Sequence, residues 1–300
     1  MSNIKTMVGA WVVSMRPHTL TAGISPVMVG CALAYHAGGF SWIPALLCLG
    51  VAVLAQVASN FANDYYDFKK GADGPNRLGK SRGLQQGLIS PQALLKATIA
   101  TLGAACLCGL GLLFYGPWWL LLVGVAIALA VLGYSAGPFP LSYNGLGDVS
   151  VLIFYGIIPV TFTYYVQTGS FSSLTLVFAF ALGLVATNIL IVNNYRDYEE
   201  DKVSGKRTTI VRFGRKCGRW MYSLNGFAAH LLLIPYLYKA EVSIFIWILF
   251  VLMSLLFMRL RKAFLTTDGT ALNKVLGQTA LFVFLYAIIQ SIILLHTAQA

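Results

Sequence analysis

The chain has 300 residues, of which 58% are hydrophobic and only 10% charged, and its mean hydropathy is +0.74. A soluble domain carries about a quarter charged residues, so this composition excludes an ordinary soluble globular protein and places the chain in a bilayer. The formal charge of +11 does not indicate nucleic acid, because the basic residues lie in short loops between apolar runs.

Apolar runs long enough to span a membrane fall near 18–36, 42–62, 93–114, 118–136, 147–166, 171–193, 221–239, 242–259 and 275–295. They predict an all-α polytopic membrane protein of nine transmembrane helices forming one domain over 1–300. Breaks are legible at "HAGGF", "YGP", "QTGS" and "YKAE". The stretch 134–147, "YSAGPFPLSYNGLG", is too rich in Gly and Pro to continue a helix and reads as a loop. The first run has a rival reading as a cleaved signal peptide, with "MVGC" as a loose lipoprotein-like site, but it continues into a second span after a short turn. The five cysteines show no CxxC spacing, and four lie in apolar runs, so they read as small hydrophobes rather than metal ligands.

With the N-terminus in the cytoplasm and alternating spans, twenty of the 21 Lys and Arg fall in cytoplasmic segments, leaving only Lys239 outside. This asymmetry supports nine spans, with the N-terminus inside and the C-terminus outside.

Two of the cytoplasmic loops, about 63–92 and 194–219, open in the same way. "NDYYD" at Asn63–Asp67 aligns with "NNYRD" at Asn193–Asp197, and each follows an apolar helix and precedes a basic loop. Four helices lie between them, an even number, so both face the same side of the membrane. That makes the repeat parallel and sets the two copies across a central cavity. Asn63 and Asp67, and likewise Asn193, Asp197 and Asp201, recur every four residues and so share a helix face. Stacked carboxylates repel, and at the bilayer centre each costs roughly 2.5–3.5 kcal/mol. A solvated helix end accounts for either stretch alone. Their repetition at matched depth favours oxygen ligands for Mg²⁺ and a diphosphate, with the neighbouring Lys and Arg taking the outer oxygens. A diphosphate site beside a lipid-filled cavity points to a lipid diphosphate.

These residues resemble the UbiA-type intramembrane prenyltransferases, in which two NxxxDxxxD motifs bind a Mg²⁺-complexed polyprenyl diphosphate. The second motif here fits that form; the first has Gly71 where the last acid belongs, with Asp73 two residues on and Asp64 as a further acid. The resemblance thus implies a metal set of Asn63, Asp64, Asp67, Asp73, Asn193, Asp197 and Asp201. The strings "RPHTL", "GPFPLSYNGLGD", "TYYVQTG" and "LNKVLGQTALF" resemble the branch that prenylates 1,4-dihydroxy-2-naphthoate with loss of CO₂ in menaquinone synthesis. Many relatives carry YxxxK after the fourth helix; here Tyr134 is followed by Ser-Ala-Gly-Pro138, without the lysine.

For the diphosphate, Arg82, Lys206, Arg207 and Lys80 are the expected contacts, and Tyr134 and Tyr195, with Tyr65 and Tyr143, are candidate aromatic faces for a developing allylic cation. Each tyrosine has the alternative role of interfacial anchor. Asp67, Asp197, Asp201 and Asp148 are the expected catalytic acids, Asp148 with the alternative of a helix-start cap. His18 beside Arg16 is either an acceptor contact or an interfacial histidine. The expected location is a bacterial inner membrane, with the site on the cytoplasmic side. Four rivals stand: prenyl transfer to 4-hydroxybenzoate, a CDP-alcohol phosphotransferase, a cation-coupled transporter and a non-catalytic lipid-binding scaffold, the last of which would not require stacked carboxylates twice. The phosphotransferase lacks its DGxxAR-like element here, and a transporter would place acids nearer mid-helix.

Overall fold

The computed structural model describes residues 6–71, 78 and 83–298, and among them only helices, turns and loops occur. Asp73, Lys80 and Arg82 lie outside the described residues.

The described residues form twelve α-helices in chain order: α1 (Met7–Met15), α2 (Pro17–His36), α3 (Trp42–Lys69), α4 (Pro91–Gly111), α5 (Leu120–Gly133), α6 (Gly147–Leu152), α7 (Ile158–Thr168), α8 (Ser173–Arg196), α9 (Tyr198–Val203), α10 (Thr209–Lys239), α11 (Ile244–Thr266) and α12 (Leu272–Thr297). Their starts follow local chemistry. Ser90 precedes Pro91 and accepts from the Ala93 amide, and Thr208 accepts from the Val211 amide, satisfying N–H groups that a first helical turn leaves open. Gly169 ends α7 at φ 68°, in the left-handed region that a glycine enters without cost.

Among the described residues six helical segments are long and apolar enough to cross a membrane: Trp42–Lys69, Pro91–Phe114, Gly147–Thr168, Ser173–Arg196, Ile244–Thr266 and Gly269–Thr297. Leu120–Gly133 is apolar but shorter, with 14 residues against the roughly 20 a span requires. Six of the nine expected spans thus meet this length and composition among the described residues. The expected loop at 134–147 is present, with one 3₁₀ turn at Leu141–Tyr143.

α8 runs through the main core, where Phe178, Ala181, Leu182 and Val185 are fully buried. It packs against α10 and α12, and α2 packs along α12. A smaller core joins α1, α3 and α4 through Ala10, Phe61 and Leu94. The cavity lies between these two packed groups.

Between α6 and α7 the helix widens to a π-turn at Ile153–Ile157, where the Ile158 amide bonds to the Ile153 carbonyl five residues back. Pro159 explains it: with no N–H, it cannot serve the Tyr155 carbonyl four residues before it.

Candidate active site

The first motif rides on the C-terminal end of α3, which continues to Lys69, beyond the apolar run expected to stop at 62. Asp64 and Asp67 are buried there, at 1% and 2% exposure, because cations and a hydroxyl meet them. Arg16 Nη2 donates to Asp64 Oδ1 at 2.5 Å and to Asn63 Oδ1 at 3.0 Å. It reaches them from a left-handed corner, φ 51°, that separates α1 from α2. Tyr143 donates to Asp67 Oδ1 at 2.9 Å, and Lys206 Nζ lies 3.4 Å from Asp67 Oδ2.

The second motif crosses from α8 to α9. Asp197, at φ −91° and ψ 12°, joins the two helices. The Asp197 amide still bonds to the Asn193 carbonyl at 3.0 Å and the Asp201 amide to the Asp197 carbonyl at 2.8 Å, so the four-residue spacing survives the joint. Arg196, only 5% exposed, clamps Asp197 through Nε and Nη2, both at 2.6 Å. It also donates to Asn193 Oδ1 at 2.8 Å and Asn273 Oδ1 at 2.9 Å. Asp201 receives Lys206, whose Nζ is 3.7 Å from Oδ1. Burial raises the Asp201 carboxyl to about 7; Lys206 pulls the other way, and Asp197, Asp67 and Glu200 add to the rise.

The loop between α5 and α6 roofs the first motif. Lys70 Nζ donates to the Ser135 carbonyl at 3.0 Å and sits 4.1 Å above the Tyr143 ring, and Asn63 Nδ2 donates to Ser135 Oγ at 3.2 Å. The Arg207 amide donates to the Tyr143 carbonyl at 2.8 Å, tying this roof to the second basic loop.

The two acidic motifs open on a cavity of about 510 Å³. Asn63, Asp64, Asp67, Asn193, Asp197 and Asp201 line it, together with Lys206, Tyr134 and Asp148. Its deeper wall is apolar, with Val51, Ala55, Ile127 and Phe162. Asp148 lies in the first turn of α6, where the cap position belongs to Leu146.

Two expected contacts fall elsewhere. The Arg207 side chain is exposed and absent from the cavity wall. Tyr195 is buried behind the second motif, where its ring packs on Phe264 and its hydroxyl meets Asp268 at 3.2 Å and Arg219 at 2.9 Å; it anchors the core. Tyr65 stacks edge-on against Tyr66 beside the smaller core. Three residues in the site were not assigned to it from sequence: Arg16, Arg196 and Tyr143's hydroxyl as partners of the motif carboxylates. Arg196 sits inside its acidic motif, a signal that could have found it; Arg16 lies 47 residues before Asn63 and has no such signal.

Among the described residues no three carboxylate, imidazole or thiolate groups converge at metal-ligand spacing. The motif oxygens instead hold Arg16, Arg196 and Lys206. The donor set still fits Mg²⁺: carboxylate and carboxamide oxygens lining one cavity, without nitrogen or sulfur ligands among the motif residues. Because one ammonium lies 3.4 Å from Asp67 and 3.7 Å from Asp201, both motifs address the same positive charge.

Buried acids from two like motifs, turned toward one mostly apolar membrane cavity, define an intramembrane enzyme acting on a charged head with a lipid tail. The chain belongs to the UbiA prenyltransferase family, whose profile matches residues 23–288. It is 36% identical over 279 residues to 1,4-dihydroxy-2-naphthoate octaprenyltransferase of Escherichia coli (strain K12), covering 90% of each chain. Over 293 residues it is 34% identical to the protein of that name from Haemophilus influenzae, covering 95% of each. In fold it is similar to a UbiA homolog from Archaeoglobus fulgidus solved bound to DMAPP and Mg²⁺, with TM-score 0.63, 17% identity, and coverage of 94% of this chain and 99% of that one.

Proposed function

We propose that the chain transfers a polyprenyl group from polyprenyl diphosphate to 1,4-dihydroxy-2-naphthoate, with loss of CO₂, giving demethylmenaquinone in its quinol form. The observation that carries the reaction class is Lys206, held between Asp67 and Asp201 at the mouth of an apolar cavity. The acceptor follows from the relatives named for that naphthoate.

Asn63, Asp64, Asp67, Asn193, Asp197 and Asp201 are the residues that would hold Mg²⁺. When bound, the metal neutralises charge on the diphosphate as it leaves. Lys206 supplies an ammonium to the outer phosphate oxygens. The bond between the allylic carbon and the diphosphate oxygen breaks, and the diphosphate keeps the electron pair. The face of Tyr134, which lines the cavity, steadies the positive carbon. The naphthoate ring carbon that bears the carboxylate attacks it, and the carboxylate departs as CO₂, its bonding pair returning to the ring. The apolar wall keeps water from capturing the cation.

Nine helices cross the inner membrane in this reading: α2, α10 and the short α5 join the six apolar spans, and the two acidic motifs form a parallel repeat in a single domain over 1–300. Positive loops place the N-terminus and the site on the cytoplasmic side and the C-terminus outside.

The test is direct. The purified chain receives polyprenyl diphosphate, Mg²⁺ and either dihydroxynaphthoate or 4-hydroxybenzoate. Prenylated naphthoate is the expected product. Turnover of 4-hydroxybenzoate alone would reassign the acceptor, and no prenylated product from either, with ion flux in vesicles instead, would favour the transporter.

A further inference from the structure

Polar side chains interrupt the cavity wall deeper than the acidic motifs, among them Thr19, Gln56, Asn60 and Tyr155. Gln56 and Asn60 are 6% and 4% exposed, at a depth where a hydrocarbon tail offers them nothing. Their hydrogen bonds run in one direction. The Met15 carbonyl can only accept, so Asn60 presents its amide Nδ2 there, at 2.9 Å. Asn60 Oδ1 then faces the other way and accepts from Gln56 Nε2 at 3.1 Å. Gln56 Oε1 in turn accepts from the Tyr155 hydroxyl. Thr19 Oγ1 braces both amides, at 3.0 Å to Asn60 and 3.3 Å to Gln56.

A backbone carbonyl at one end therefore fixes the orientation of every group up to Tyr155. Its proton is committed to Gln56, and no other hydrogen bond reaches that hydroxyl among the described residues. The phenolic oxygen thus shows the cavity lone pairs. Tyr155 is placed there by the π-turn at Ile153–Ile157, and π-turns recur where a helix must aim a functional side chain. Gly156 and Gly183 lock that turn against α8: a Cβ on Gly156 would fall 2.6 Å from the Ala179 carbonyl and from the Gly183 Cα.

Gln56 lies two turns of α3 deeper than Asn63, about 10 Å at 1.5 Å per residue, which leaves room for an allylic carbon and an aromatic ring between motif and tyrosine. Resting on the acceptor reading above, we infer that Tyr155, oriented by Gln56 and Asn60, accepts a hydrogen bond from a ring hydroxyl of the aromatic acceptor. The contact sets the ring's pose, and drawing on the O–H bond enriches the ring carbon that attacks.

Steady-state kinetics of Tyr155→Phe with dihydroxynaphthoate, and with the two naphthoates lacking one hydroxyl each, tests this. The expected result is a fall of about tenfold in kcat/KM for dihydroxynaphthoate, with the donor's KM unchanged. With one of the two monohydroxy acceptors the variant and the parent should be equal, because the contact is already missing. Gln56→Met, which releases the tyrosine proton, should reproduce the loss in part. The inference is overturned if Tyr155→Phe matches the parent on dihydroxynaphthoate, if it loses equally on all three acceptors, or if the donor's KM rises instead. Failure of the parent enzyme itself to use dihydroxynaphthoate would remove the acceptor reading, and this inference with it.

Discussion

Lys206 Nζ lies 3.4 Å from Asp67 Oδ2, although 139 residues separate them in the chain. The contact joins the second basic loop to the end of α3, and the same ammonium reaches Asp201. Removing one fixed donor from a developing anion costs about 10²–10³ in rate. Lys206→Met should therefore lower kcat/KM for the prenyl diphosphate by that order, with Lys206→Arg recovering part of it. A loss below tenfold would remove Lys206 from the site.

Arg207 offers the contrast. Its side chain is exposed and only its backbone ties the loops together, so Arg207→Ala should change prenyl transfer by less than about twofold. Tyr195→Phe should leave the donor's KM unchanged while lowering the unfolding midpoint, since its hydroxyl serves Asp268 and Arg219.

Chelation should stop turnover and Mg²⁺ should restore it, because the cavity's motif ligands are all oxygens. Bound Mn²⁺, followed by electron paramagnetic resonance in the presence of a prenyl diphosphate, should be lost in the Asp67→Asn, Asp197→Asn double variant. Retention of the signal would place the metal elsewhere.

Arg196 is buried with Asp197, and the two form a bidentate pair. Breaking such a pair from one side leaves an uncompensated buried charge and costs about 3–5 kcal/mol. Arg196→Leu should lower stability by that amount in detergent, and added Mg²⁺ should narrow the difference if it takes over the charge on Asp197.

Gly156→Ala tests the packing behind the π-turn. The added methyl meets backbone on α8 rather than a side chain able to move aside. A destabilisation of about 1–3 kcal/mol is expected from thermal unfolding.

Much of the fold was legible in the sequence. The expected run 18–36 is α2 at Pro17–His36, and 171–193 is α8 at Ser173–Arg196, because hydropathy and Gly-Pro punctuation are local properties. The Asn193, Asp197 and Asp201 register held for the same reason: a period of four is written into the chain. Hydropathy erred at the helix ends. α3 and α8 run on through their motifs because Arg16, Tyr143 and Arg196 meet the buried acids, and no window average contains those partners.

Sequence by itself determined the membrane setting, the order of the helices and the two oxygen-rich motifs, since each follows from residue type and spacing along one stretch. Tertiary structure alone decided which cation meets which acid: Lys206, not Arg207, turns inward, and Tyr195 goes to the core while Tyr134 lines the cavity. It also decided that Tyr155 ends a chain of hydrogen bonds begun at Met15. Direction and reach between distant segments arise only when helices pack, because the side chains concerned have no neighbours in common until then.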